Sequence, residues 1–171
     1  MNERVLRRQC RRTLQSLDIQ PPLRVPVLCE RLGLRRGRPI RLVAYPLPVP
    51  GPFGLWIASP TADYLLYQRH TSAAHQNHII LHEIGHVLAG HRSDEGEEAA
   101  WSVLTPDALR TAIRHALRRT CYDSDREREA ELVATIILEW ACVLDQIAPP
   151  MADDPAVRRL QVALGDHQGW Q

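Results

Sequence analysis

Near the N-terminus apolar residues recur at helical spacing. Val5, Leu6, Cys10, Leu14 and Leu17 share one side of a helix over Val5–Leu17, and Arg occupies the other faces. Pro21-Pro22 ends this helix and starts a turn. A second, short helix is predicted over Pro26–Leu34, with Pro26 in its first turn and Gly33 at its C-terminal end. The period then changes from helical to alternating: Ile40, Leu42 and Ala44 mark a strand within Pro39–Tyr45. Pro46, Pro48, Pro50 and Pro52 forbid regular structure over the next seven residues. Leu55–Ala58 and Tyr64–Gln68 read as two more strands, joined by a turn around Ser59-Pro60-Thr61.

From Thr71 onward the pattern is helical. Thr71 or Ser72 can cap a helix running to Ala89, with Gly90 as its stop. An acidic loop over Ser93–Glu98 leads to helices over Glu97–Leu104 and Pro106–Arg119. A long helix is expected over Asp123–Gln146, stopped by Pro149-Pro150, and a last one over Asp153–Leu164. Strands first and helices after predict an α+β domain built on a small three-stranded sheet with a following helical layer.

The 171 residues are 44% apolar and 24% charged, which excludes disordered, collagen-like and low-complexity classes. The longest mostly apolar run, Val133–Leu144, is broken by Glu139 and too short for a bilayer, so no membrane association is expected. The first 22 residues are Arg-rich without an apolar h-region, so the expectation is a soluble cytoplasmic protein. Charge is uneven. Residues 1–41 hold eleven Arg against three acids, a net +8, and the remainder holds ten Arg against seventeen acids, a net −7. Lys is absent, which a GC-rich genome explains. The basic segment admits direct nucleic-acid binding, but the favoured reading is that it packs on the rest of the chain or docks a protein. Cys10, Cys29, Cys121 and Cys142 have no metal or redox spacing, and Cys142 is assigned to core packing.

The chemistry concentrates in His82-Glu83-Ile84-Gly85-His86, an HExxH. Two His at i and i+4 lie on one helix face and can reach one metal ion, while Glu83 stands close enough to act on water as a general base. A hydrolytic zinc site has three protein ligands and an open position. His91 is the near candidate for the third, although it falls one residue short of the metzincin spacing. Glu127 is the other, with Glu131 one turn on as a carboxylate for a ligand imidazole. Glu127 also fits a capping box with Ser124, and Glu129 is the competing ligand on the opposite side of that helix. His75, His78, His82 and His86 form one stripe. There His78 either lines the cleft or, as the favoured reading has it, is solvated together with His75 at an exposed helix start. His91, His115, Tyr67 and Tyr122 are candidate oxyanion donors.

The run His82–His91 followed by Glu127-Arg128-Glu129-Ala130-Glu131-Leu132-Val133-Ala134 resembles the ImmA/IrrE family of metallopeptidases over roughly residues 25–145. The resemblance implies a minimal gluzincin-like fold and Zn2+ held by His82, His86 and Glu127, with Glu83 as general base. It further implies hydrolysis of a protein substrate, in that family a helix-turn-helix transcriptional repressor. The chain departs from the family pattern at Glu131, where Asn or Asp is usual, at Val133 in place of Phe, and at Ile137-Leu138-Glu139-Trp140, which lacks the usual Pro. These departures motivate the alternative of a zinc-binding toxin–antitoxin or regulatory interaction protein with little or no proteolysis. The expected organisation is an Arg-rich helix and linker over 1–22, a zincin-like domain over 23–150, and a C-terminal helix and tail over 151–171.

Overall fold

The computed structural model describes residues 3–91 and 124–147, together with the helical residues Arg110, Thr111, Ile113 and Arg114. Among them the fold is α+β, a three-stranded mixed sheet with four helices of defined extent: α1 (Glu3–Ser16), α2 (Val25–Arg36), β1 (Ile40–Tyr45), β2 (Gly54–Ala58), β3 (Asp63–Gln68), α3 (Ala73–Ala89) and α4 (Ser124–Ile147). The expected helices over 97–104 and 153–164, the loop at 93–98, His115, Cys121 and Tyr122 lie outside the described residues, as does most of the helix over 106–119.

The sheet order is β1-β3-β2, with β1 parallel and β2 antiparallel to β3. The β2–β3 turn is closed by Ser59, whose Oγ accepts from the Ala62 amide at 3.1 Å. Gln68 N donates to Phe53 O at 2.8 Å and Ser59 N to Ala62 O at 2.8 Å. Hydrogen-bonded and non-bonded pairs alternate in an antiparallel ladder, so residues 53, 55, 57 and 59 bond β3, and Gly54, Trp56 and Ala58 turn their amides and carbonyls to the outer edge. Among the described residues no strand pairs with that edge.

One face of the sheet and the helices share the larger core. Leu65 of β3, Ile80, Leu81 and Ile84 of α3, Val133 and Ile137 of α4, Leu28 and Leu32 of α2, and Leu6, Cys10 and Leu14 of α1 form one buried cluster. Leu55, Ile57 and Leu66 pack on the other face with Leu47 and Ile113. Burial pushes the Cys10 thiol up to about 11 and the Cys29 thiol to about 12, so both pack as small apolar groups. Cys142, assigned to the core from sequence, is exposed: its apolar neighbours in α4 turn inward and it does not.

Two glycines differ from expectation. Gly37, with φ of 65°, closes α2 in the left-handed conformation, three residues after the expected end. Gly33 lies inside that helix, where a Cβ would come within 2.9 Å of Ile40 N. It is therefore the point where β1 crosses close to α2, not a helix stop. Asp63 opens β3 fully buried. Arg36 Nη1 reaches its Oδ2 at 2.7 Å, Arg38 Nε its Oδ1 at 3.0 Å in an ion pair, and Trp56 Nε1 donates to Oδ1 at 3.2 Å. No helix among the described residues is long and apolar enough to cross a membrane.

Candidate metal centre

α3 begins at Ser72, whose hydroxyl accepts from the His75 amide at 3.2 Å, which settles the choice between Thr71 and Ser72. The helix buries Ile79, Ile80, Ile84 and Val87 against the sheet and α4, which leaves His82 and His86 on the flank that faces α4. The two helices approach tightly at Gly85: a Cβ there would lie 2.6 Å from the Ala130 carbonyl oxygen and 2.8 Å from its Cα. That approach sets Glu127, Glu129 and Glu131, all within three residues of Ala130, beside the imidazoles.

Glu127 Oε2 lies 3.2 Å from His82 Nε2, and Oε1 lies 3.4 Å from His86 Nε2. The two imidazole Nε2 atoms are 3.1 Å apart. One donor atom from each of the three residues lies within 4.8 Å of the others, a group able to hold a metal ion. Both carboxylate oxygens of Glu127 thus lie on the imidazole side, although its position three residues after Ser124 also suits a cap. Burial lowers the His86 pKa to about 4, with His82, His91 and Arg126 adding to the effect, so this imidazole is neutral at neutral pH with a lone pair to offer.

The distal nitrogens are also engaged. Glu131 Oε2 lies 3.2 Å from His82 Nδ1, and Glu131 Oε1 lies 3.0 Å from His78 Nε2. Glu131 therefore bridges His82 and His78, on the side of His82 turned away from the group that could hold a metal ion. His75 meets the Thr71 hydroxyl at 2.9 Å and the Phe53 ring at 5.4 Å between centroids. The expectation of two solvated imidazoles at the helix start is corrected on this point: His78 finds its partner on α4, and His75 finds Thr71 just before α3 and Phe53 just before β2.

His91 is not placed as a third ligand or as an oxyanion donor. Its Nδ1 lies 2.9 Å from His86 Nδ1, the nitrogen turned away from the ligand group. Glu129, the competing ligand, faces His91 Nε2 at 3.5 Å instead. Tyr67 stands opposite Gly54 in the β2–β3 ladder. Glu83 is buried between α3 and β2, where Gly54 leaves room for its carboxylate: a Cβ on that glycine would collide with Glu83 Oε1. The sequence does not mark Gly54, Gly85 and Ala130 as positioning residues, because small size becomes informative only once the opposing element is known. Comparison with known proteins finds no match among family models, curated proteins or solved structures.

Proposed function

We propose that the protein is a zinc-dependent endopeptidase of the ImmA/IrrE type. The observation that carries this reading is the 3.1 Å spacing of His82 Nε2 and His86 Nε2, with Glu127 Oε2 3.2 Å from the first and Oε1 3.4 Å from the second, so that one donor atom per residue lies within 4.8 Å of the others. A tetrahedral ion with ligands at about 2.0–2.1 Å separates its ligand atoms by about 3.3 Å, and a His2Glu set is a known donor set for hydrolytic zinc. When bound, such an ion supplies a Lewis acid that polarises a carbonyl and makes water acidic near neutral pH.

The remaining steps belong to the protein. Glu83 takes a proton from the attacking water and returns it to the leaving amine. Its burial beside Gly54 limits the positions its carboxylate can adopt. The outer edge of β2 offers the amides and carbonyls of Gly54, Trp56 and Ala58 to an extended peptide, which would add as a strand and run past Glu83. A helix-turn-helix repressor as the substrate rests on the resemblance of the two motifs. Glu131 in place of the family's shorter residue still reaches His82, so that departure does not favour a purely binding role.

The test is metal content per chain, measured in parallel on wild type and E127A, followed by cleavage of the repressor by wild type and E83Q. About one zinc per wild-type chain and a marked loss in E127A are expected. E83Q should keep its zinc and lose activity by ~10³-fold. Full zinc in E127A would remove Glu127 from the ligand set. A zinc-loaded E83Q with undiminished biological effect would favour the regulatory interaction protein.

A further inference from the structure

We propose that Gly90 and His91 form one positioning device for the metal centre: the turn that closes α3 places His91 behind His86 and, with Glu129, fixes which nitrogen of His86 faces the ion. The proposal rests on the metal-site reading above and adds to it a residue pair that is not part of the ligand set.

The argument starts from the helix end. Gly90 adopts φ of 68° and ψ of 25°, its amide reaches Val87 O at 3.4 Å, and the His91 amide donates to His86 O at 3.1 Å. Those two bonds define a Schellman closure, in which the residue after the left-handed glycine packs its side chain on the residue five positions before it. An apolar pair usually occupies these positions. Here they are His91 and His86, with ring centroids 5.1 Å apart and an interplanar angle of 64°. The spacing His-x-x-x-Gly-His therefore has a geometric meaning: the glycine's backbone conformation delivers the second ring to the first.

The hydrogens then follow from the distances. His86 turns Nε2 toward His82 and Glu127, so a ligating His86 is protonated on Nδ1. That N–H points at His91 Nδ1, 2.9 Å away, which must accept. A neutral imidazole that accepts on Nδ1 carries its hydrogen on Nε2. In His91 this atom faces the Glu129 carboxylate at 3.5 Å, and the His91 side chain is only 10% exposed. Each ligand imidazole is thus backed by an α4 carboxylate: His82 directly by Glu131, His86 through His91 by Glu129.

The test compares wild type with H91F, H91N and H91Q in the full chain. Zinc affinity is read by competition with a chromophoric chelator, ligand geometry by the visible absorption of the cobalt-substituted protein, and folding by the melting temperature of the metal-free form. H91F and H91N are expected to bind zinc 10–100-fold more weakly and to shift the cobalt bands. H91Q can accept with its carbonyl and donate with its amide, so it should recover affinity to within a few-fold of wild type. Metal-free melting temperatures should stay close together, since the backbone turn does not need the imidazole. Wild-type affinity and an unshifted cobalt spectrum in both H91F and H91N would overturn the proposal while leaving the metal site intact. A wild-type chain that takes up no zinc or cobalt would overturn both.

Discussion

Glu83 shows how strongly one missing atom can constrain a site. Its carboxylate is buried, and Gly54 fits against it only because glycine has no Cβ: one built there would collide with Oε1 and stand 2.7 Å from Ile79 Cγ2. In G54A either the carboxylate rotates or β2 moves outward. Misplacement of a catalytic group by about 1 Å costs on the order of 10²-fold in rate. Under the proposed function, G54A is expected to lose about that much peptidase activity while retaining one zinc per chain, because the three residues that would hold the ion stand on α3 and α4. Activity assays paired with metal analysis check this, and a variant that loses metal instead would tie β2 to the ligand set. At this scale the sequence is legible where chemistry and helical periodicity coincide. His82, Glu83 and His86 can be placed on one helix from spacing alone. Gly54 cannot be, because its neighbour lies on an element that sequence spacing does not connect to it.

Between elements, the contact that matters is the crossing of α3 and α4. Gly85 and Ala130 are small, and a Cβ at Gly85 would lie 2.6 Å from the Ala130 carbonyl oxygen. Separating the axes would carry Glu127, Glu129 and Glu131 away from His86, His91 and His82 together. G85V forces two methyl groups and a Cβ into a gap that has no room for the Cβ alone. Overpacking of this kind costs about 1–3 kcal/mol. A lower melting temperature and fewer zinc ions per chain are expected to appear together, whereas a destabilised variant with full zinc would show that the crossing tolerates the shift. Among the described residues, the periodicity of the chain anticipates the three strands and the four helices of defined extent to within a few residues. Misreadings arise where a second element decides the outcome. Gly33 resembles a helix stop in sequence but is the crossing point of β1, and His78 resembles a solvated residue until α4 brings Glu131 to it.

For the molecule as a whole, the Arg-rich segment poses the question of whether it is an appendage or part of the core. Several of its charges are used internally: Arg7 pairs with Glu3 and Glu139, Arg31 with Asp18, and Arg36 and Arg38 with buried Asp63. Its apolar stripe is more telling. Leu6, Cys10 and Leu14 lie in the same buried cluster as Val133 and Ile137 of α4 and Ile84 of α3, and Leu14 is 1% exposed. α1 thus packs against α4, the helix that brings Glu127 to the ligand group. Truncating a fully buried leucine to alanine costs about 2–5 kcal/mol when its surroundings cannot collapse onto the space. L14A should therefore lower the melting temperature and urea midpoint of the whole chain in one cooperative transition, and zinc should be released in that same transition. Under the proposed function, zinc content at 25 °C should remain at one equivalent, since Leu14 is not among the residues that would hold the ion. If L14A instead loosened the N-terminal helix in a separate, earlier transition while zinc release kept its wild-type midpoint, α1 would be an appendage, and its arginines would be free to serve a partner rather than the fold.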